Sequence, residues 1–223
     1  MATVTGVSWL VRSRGKGVST GVTTLVLAIA VGLATAAPTF AALPTPISAV
    51  TAKTYLGSLT VGPENNSPAF DRSLFPTWDM ISGNCDTRGI VLIRDGTDVI
   101  TDSSCRAISG DWLSPYDGLT TTVASDLDID HIVPLKEAWV SGARLWTTRQ
   151  REAFANDLTR PQLVAITDNA KQSKGDQDPA TWVPMLPSFV CTYVRAYIQV
   201  KHFYNLSVDP AEKVALVQYL ETC

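Results

Sequence analysis

The stretch DLDIDHIVPL, residues 126–135, constrains the fold of this chain more than any other segment. Its leucine and isoleucine alternate with aspartates, which is the period of two expected of a strand with one apolar and one polar face. Pro134 then suits the first turn of a helix, where a missing N–H costs nothing. The segment LKEAWVSGA continues that helix until Gly142 ends it. The sequence therefore predicts a strand that ends in the pair Asp130–His131 and leads directly into a helix.

The rest of the chain mixes helical patterns with one further short strand. LVAIT, residues 163–167, is predicted to be that strand, and DNAKQSKG after it is a turn leading into a helical stretch that Gly175 ends. Periodicity leaves open whether TRGIVLIRD is a helix or a strand. The region 111–125 is rich in glycine, proline, serine and threonine and is predicted to be a surface connection. Capping patterns and apolar periodicity predict helices in ISAVTAKTYLGSL, TRQREAFANDL, SFVCTYVRAYIQVKHFY and DPAEKVALVQYL. The fold class is α+β.

The first 41 residues have the pattern of a secretory signal peptide. Basic residues between positions 12 and 16 precede an apolar run over 18–34, and small residues follow that permit cleavage after Ala36 or Ala41. An uncleaved membrane anchor is the alternative, because the apolar run approaches the shortest length that spans a bilayer. Since no second apolar run follows, we expect a secreted, extracellular protein with no membrane association and one domain over 42–223.

The charge balance limits how this domain can bind nucleic acid. The predicted leader holds three of the 18 basic residues and none of the 21 acidic ones, so the net charge falls from −3 for the chain to −6 for the domain. Proteins that bind polyanions across a broad surface are basic. Any nucleic-acid chemistry must therefore occur at a local site, in which a metal ion neutralises the acidic cluster.

The four cysteines all lie after the predicted leader, at positions 85, 105, 191 and 223. An even number in an exported chain indicates two disulfides. Of the three possible pairings we predict Cys85–Cys105 and Cys191–Cys223, because each closes a short loop and the second ties the last residue to a helix. Zinc binding by the cysteines is the alternative, but the chain has no CxxC or Cys-His spacing to support it.

The residue types at the end of the predicted strand suit phosphodiester hydrolysis. That reaction needs a base for the attacking water and a cation for the charge that develops on the phosphate. His131 has the ordinary pKa of a base near neutrality. Asp130 has the oxygen ligands that a magnesium-like ion prefers. Neighbours on a regular strand point to opposite faces, so both residues reach one phosphate only if the strand end twists.

Asp130-His131-Ile-Val-Pro134 followed by LVAITDNAKQSKGDQDPATW resembles the HNH endonucleases, also called His-Me finger or ββα-metal nucleases, in a secreted branch of that family. NCDTRGIVLI, SGDW, PYDG, FANDL and CTYVRAYIQVKH extend the resemblance over 71–223. It implies a ββα-metal core surrounded by helices. It also implies one divalent ion, Mg²⁺ with Mn²⁺ or Ca²⁺ as alternatives, with His131 as general base and Asp130 as metal ligand.

The resemblance extends less completely to the remaining site positions. The family's middle asparagine, which orients the base or braces the hairpin, falls at or near Gln162. Its second metal-ligating asparagine falls at Lys171, which cannot ligate a cation while protonated. Asn169 is then the substitute ligand, with Asp168 as a second option. Contacts to the substrate phosphate are expected from Lys171, Lys174 and Arg88.

The predicted function is that of a secreted, metal-dependent endonuclease. It would hydrolyse DNA, with RNA as a further substrate, and would act as a monomer. The alternative is a nucleic-acid or surface-binding module on the same fold, impaired in catalysis because Lys171 replaces the asparagine ligand. A secreted metalloprotease needs more zinc ligands than two histidines without an HExxH motif provide.

Overall fold

The computed structural model describes residues 43–223, and the predicted signal peptide over 1–41 lies outside this range. The described part combines helices with short antiparallel sheets, as an α+β domain does, and this confirms the predicted class. The helices are α1 (Ala49–Ser58), α2 (Thr87–Asp95), α3 (Leu135–Val140), α4 (Thr148–Ala155), α5 (Asp168–Lys174), α6 (Pro187–Phe203) and α7 (Pro210–Glu221). The strands are β1 (Met80–Ser82), β2 (Cys85–Asp86), β3 (Gly96–Thr101), β4 (Ala107–Leu113), β5 (Thr120–Thr121), β6 (Leu127–His131) and β7 (Leu163–Thr167).

The strands β6 and β7 form an antiparallel pair that helix α5 follows without a break. Pairing runs from Leu127 opposite Thr167 to His131 opposite Leu163. The long connection between the two strands contains α3 and α4. Helix α5 packs against both strands and ends at Gly175, whose φ of 55° suits a residue without a side chain. The unit brings the end of β6 and the last turn of α5 together.

The β6–β7 pair is covered on both faces, so the predicted polar face is only partly solvated. Asp128 is exposed, but Asp130 is completely buried. One face packs against α2 and β4 through Leu127, Ile129, Leu163, Ala165, Val91, Leu92 and Trp112. The opposite face joins a larger core that includes Val164, Ile166, Ile132 and the inner side of α6. Because side chains alternate along a strand, Asp130 lies on the larger-core face and His131 on the other.

The helices that surround this pair are tied together by a buried charge cluster. Lys201 on α6 donates to Glu137 on α3 at 2.7 Å and to Glu212 on α7, also at 2.7 Å. Burial raises the pKa of Glu137 to about 8, against the opposing effect of Lys201. A capping box between Asp209 and Glu212 begins α7, as its sequence predicts. One buried lysine thus joins three helices behind the strand pair.

Both predicted disulfides are present. Cys85 is bonded to Cys105 and Cys191 to Cys223. The ambiguous segment TRGIVLIRD is helix α2, begun by Asp86, whose side chain accepts from the backbone N–H of Gly89. The first bridge therefore fastens the start of α2, and the second fastens α6 to the last residue.

The prediction of a surface connection over 111–125 is wrong for its first half. Strand β4 extends to Leu113, and the buried indole of Trp112 donates to the carbonyl oxygen of Leu92 at 2.8 Å. Tyr116 is completely buried as well. The turn-forming residues around these two aromatics gave a loop signal, but the burial of two large rings outweighs it. Within 43–223, none of the helices has the length and apolar character needed to cross a membrane.

Candidate active site

Asp130 is the centre of a buried ionic cluster at the end of β6. Its Oδ1 accepts a hydrogen bond from Lys171 Nζ at 2.7 Å, and its Oδ2 accepts from Lys174 Nζ at 2.5 Å. The hydroxyl of Tyr116 donates to Oδ2 at 2.6 Å. Burial alone would raise the pKa of this carboxyl, but the ammonium groups of Lys174 and Lys171 lower it to about 2. Both oxygens of the predicted metal ligand are therefore paired with protein cations.

Lys174 is the buried counter-ion of Asp130. Its side chain is completely buried, and Nζ also donates to the carbonyl oxygens of His131 at 2.5 Å and Ile132 at 3.1 Å. With the bond to Asp130, these contacts use all three N–H groups of an ammonium. Burial lowers the pKa of Lys174 to about 8, and Asp130 opposes that shift, so the amine is protonated at neutral pH. The sequence predicted a phosphate contact for Lys174, whereas all three N–H groups are used inside the protein here.

Lys171 differs from Lys174 in its exposure and its free donors. Its side chain is 31% exposed. Within residues 43–223, the hydrogen bond from Nζ to Asp130 is the one hydrogen bond of this amine, so two of its three N–H groups are unused there. Burial acts to lower the pKa of Lys171, but the adjacent Asp130 carboxylate raises it. The amine is therefore a permanent cation with unused donors at the surface.

His131 lies beside this cluster on the other face of β6, and its hydrogen-bond partner identifies which ring nitrogen carries the hydrogen. Its Nε2 is 2.9 Å from the carbonyl oxygen of Ala155. Because a carbonyl only accepts, Nε2 must carry the hydrogen, and Nδ1 keeps its lone pair. Nδ1 has no hydrogen-bond partner among the described residues. Burial lowers the pKa of His131 to about 4, so the ring is neutral near pH 7.

The histidine ring is held between two braced segments. The indole of Trp78 lies nearly parallel to it, with 6.2 Å between the ring centroids. Trp78 has a φ of 63°, an unusual backbone conformation for a bulky residue. Asn156 holds the segment around Trp78, since its side chain accepts from the N–H of Asp79 at 3.0 Å and donates to the carbonyl oxygen of Pro76 at 3.0 Å. Two neighbours in the FANDL sequence thus serve the site, since Ala155 accepts from His131 and Asn156 holds the segment around Trp78.

Gln162 is completely buried and fixes the chain just after His131. Its Oε1 accepts from the N–H of Val133 at 3.1 Å, and its Nε2 donates to the carbonyl oxygen of the same residue at 2.9 Å. Its own carbonyl accepts from the N–H of Ile132 at 2.7 Å. The contacts are those of a brace for the strand end, and they use both ends of the amide group. Among the described residues, no hydrogen bond joins Gln162 to the imidazole of His131.

The structure places two predicted site residues away from this cluster. Asn169 is exposed and lies on the face of α5 opposite to Lys171, because the two positions differ by about 200° around a helix. It lines a shallow depression with Thr121, Asp126 and Asp168. Arg88 donates to the carbonyl oxygen of Leu127 at 2.9 Å and so fastens the beginning of β6. The structure therefore brings together Asp130, His131, Gln162, Lys171 and Lys174, but not Asn169 or Arg88.

Sequence reasoning missed Tyr116 and Trp78, which contact the aspartate and the histidine. Tyr116 lies in PYDG, a turn-like segment, and Trp78 lies in an irregular aromatic stretch. The available signal was an isolated large aromatic inside a polar loop, since such a ring is usually buried. Their partners could not be deduced, because both contacts join segments far apart in sequence.

The family model described as GmrSD restriction endonucleases, C-terminal domain, matches residues 96–219. The chain belongs to this family. The GmrSD match includes β6, β7 and α5, the elements that carry the ionic cluster and His131. It supports the endonuclease resemblance at the level of the family.

A relative of this GmrSD-family chain is described as an uncharacterized secreted protein of Arthroderma benhamiae. The two are 55% identical over 201 residues, which cover 89% of this chain and 97% of the relative. The chain is a secreted protein, and its two disulfides agree with an oxidising destination. No solved structure matches it.

The residues around Asp130 do not fit the divalent ion that the endonuclease resemblance implies. Each carboxylate oxygen already accepts from an ammonium group, and an ion bound at Oδ1 would stand against the positive charge of Lys171. Asn169, the substitute ligand, is on another face. In the described part of the GmrSD-family chain, carboxylate oxygens approach one another within 4.8 Å elsewhere, at Glu64, Glu137 and Asp178.

Proposed function

We propose that this secreted GmrSD-family protein hydrolyses phosphodiester bonds in nucleic acid, with His131 as the general base. The observation that carries the proposal is the protonation pattern of His131, a neutral ring whose Nε2–H is engaged by Ala155 and whose Nδ1 is free. A base must be unprotonated at the working pH and must direct its lone pair at the proton it removes. Membership of an endonuclease family supports nucleic acid as the substrate class.

The proposed architecture is the ββα-metal finger, represented by β6, β7 and α5. An antiparallel strand pair followed directly by a helix supports it, with Asp130 and His131 at the end of the first strand. The domain assignment proposed with it is a signal peptide over 1–41 and one nuclease domain over 42–223. DNA is the proposed substrate, with RNA as a second one, and the proposed working state is a monomer.

The proposed step assigns one task to each residue. His131 Nδ1 takes a proton from water, and the oxygen forms a new bond to phosphorus. The bond from phosphorus to the leaving oxygen breaks, and that oxygen takes a proton from solvent while the imidazolium returns its own. Gln162 keeps the chain after His131 in position, and Trp78 limits the movement of the ring. The charge of the Lys171 ammonium acts on His131 across the end of β6, and in this proposal it attracts the phosphate to that end of the strand.

The test is degradation of supercoiled plasmid and of RNA by the protein purified from culture medium. Reactions contain Mg²⁺, Mn²⁺ or EDTA, and His131→Ala is compared with the wild type. His202→Ala is the matched control, because His202 is the other histidine of the chain and stacks on Tyr55 with ring centroids 3.7 Å apart. The proposal predicts cleavage by the wild type and the control, and a loss of at least 100-fold in His131→Ala, within the range for removal of a general base. Equal rates in all three proteins would refute it.

A binding module without catalysis is the second candidate, and the ion pair between Lys171 and Asp130 favours it. In that case the wild type would retain a labelled oligonucleotide in a gel-shift experiment and leave it intact under every condition. Binding that is lost in Lys171→Met but kept in His131→Ala would identify this function, because only the cation would then matter.

A further inference from the structure

We propose that the ammonium group of Lys171 takes the place of the divalent ion at Asp130, so that the site presents a protein cation to a phosphate and binds no metal there. For its catalytic consequence this inference rests on the proposed function. The position of the cation itself can be tested without any cleavage.

The hydrogen bonds around Asp130 distinguish the two lysines. Lys174 is buried and spends its three N–H groups inside the protein, on Asp130 and on the carbonyl oxygens of His131 and Ile132. Lys171 approaches the other carboxylate oxygen, is partly exposed, and keeps two N–H groups unused among the described residues. Lys174 therefore neutralises the buried carboxylate, and Lys171 adds a charge in excess of what Asp130 requires.

This surplus makes the cluster attractive to a phosphate and repulsive to a metal ion. Asp130 with Lys171 and Lys174 carries a net charge of +1. The oxygens of a phosphate could accept hydrogen bonds from the two unused N–H groups of Lys171. A divalent ion at the remaining lone pair of Oδ1 would stand directly beside the Lys171 ammonium, and Oδ2 already accepts from both Lys174 and Tyr116. The carboxylates of Asp176 and Asp128 also act to raise the pKa of Lys171, so a phosphate would have to approach the ammonium away from both.

A single substitution separates this reading from an ordinary metal site. In Lys171→Asn the obstructing charge is removed, Oδ1 of Asp130 becomes free, and an amide oxygen of the type that binds Mg²⁺ or Mn²⁺ is introduced. Lys53→Asn is the matched control, because Lys53 is an exposed lysine on α1. Urea unfolding of each variant shows that it is folded before ions are added.

The experiment measures Mn²⁺ binding to the full secreted protein by calorimetry and locates the ion by paramagnetic broadening of backbone amide signals. The wild type and Lys53→Asn should show no broadening at 128–131 or 168–171. Lys171→Asn should show broadening there and bind at least tenfold more tightly than the wild type. Any binding at Glu64, Glu137 and Asp178 would be common to all three proteins and would not enter this difference. Broadening at Asp130 in the wild type, or none in Lys171→Asn, would overturn the inference.

Cleavage distinguishes this inference from the proposed function. If the wild type cleaves nucleic acid in EDTA and Lys171→Met does so at least 100-fold more slowly, the inference and the proposed function both hold. Cleavage that requires Mg²⁺ or Mn²⁺ overturns the inference and leaves the proposed function standing. If the wild type never cleaves, the proposed function fails, and Mn²⁺ binding alone decides whether Lys171 occupies the place of the ion.

Discussion

Replacing Lys174 with methionine should destabilise the domain more than any change at the exposed end of the cluster. Methionine keeps most of the side-chain length but removes the charge and three hydrogen bonds. The carbonyl oxygens of His131 and Ile132 would then lack their ammonium donor inside the protein. Asp130 would lose one of its two cations, in a position with no solvent exposure.

The structure allows the size of this effect to be worked out. Removing one partner of a buried ion pair typically costs about 3–5 kcal/mol. Asp130 retains Lys171 and the hydroxyl of Tyr116, which reduces the loss, while the two carbonyl groups add to it. We expect about 4 kcal/mol, a large fraction of the roughly 5–15 kcal/mol by which domains of this kind are stable. Lys171→Met removes a single bond from a partly exposed amine and should cost about 1–2 kcal/mol.

The assay is equilibrium unfolding in urea, followed by tryptophan fluorescence with both disulfides intact. The free energy of unfolding of Lys174→Met should be lower than that of Lys171→Met by about 2 kcal/mol or more, because Lys174 is the more deeply buried. A free energy of unfolding for Lys174→Met equal to or above that of Lys171→Met would refute the reasoning, because it would mean that Lys174 is not the counter-ion on which the buried carboxylate depends.

Three further predictions concern the neighbours of this cluster. The pKa of His131 is lowered to about 4 in the folded protein and is about 6.5 in the unfolded chain. As the pH falls from 6.5 to 4, the wild type should therefore lose about 3 kcal/mol of stability relative to His131→Gln. Urea unfolding at several pH values measures this loss. Tyr116→Phe should cost about 1.5–3 kcal/mol, since it removes a hydrogen bond to a charged acceptor, and should raise the pKa of Asp130, measured by carboxyl-carbon NMR. Gln162→Met should cost about 1–3 kcal/mol by loss of its bonds to Val133, and should speed hydrogen exchange at that amide without changing Mn²⁺ binding.

The strand pair and its helix could be predicted from sequence because each has a strong local signal. The alternation before His131 and the short apolar run LVAIT identify β6 and β7, and Gly175 marks the end of α5. The capping box at Thr147 likewise predicts the start of α4, and the structure contains it. These signals depend on neighbouring residues, so local physical chemistry is sufficient to interpret them.

The ionic cluster could be predicted only in part, because its contacts are not local. The types of Asp130 and His131 indicated chemistry, yet the partner of Asp130 lies 41 residues away at Lys171. The asparagine that the family pattern requires is replaced there by lysine, and sequence alone does not show that its amine reaches the carboxylate. Tyr116 was hidden because turn-forming residues surround it, and its burial comes from packing against α6 through Tyr193.

The most direct test of the central claim is the protonation state of His131, observed by ¹⁵N NMR of the imidazole nitrogens. His202→Gln assigns the signals, since the chain has two histidines. The geometry predicts a neutral ring at pH 7 with the hydrogen on Nε2, a free Nδ1, and titration near a pKa of about 4. A hydrogen on Nδ1, or a charged ring at pH 7, would contradict the account, because His131 could then not take a proton from water.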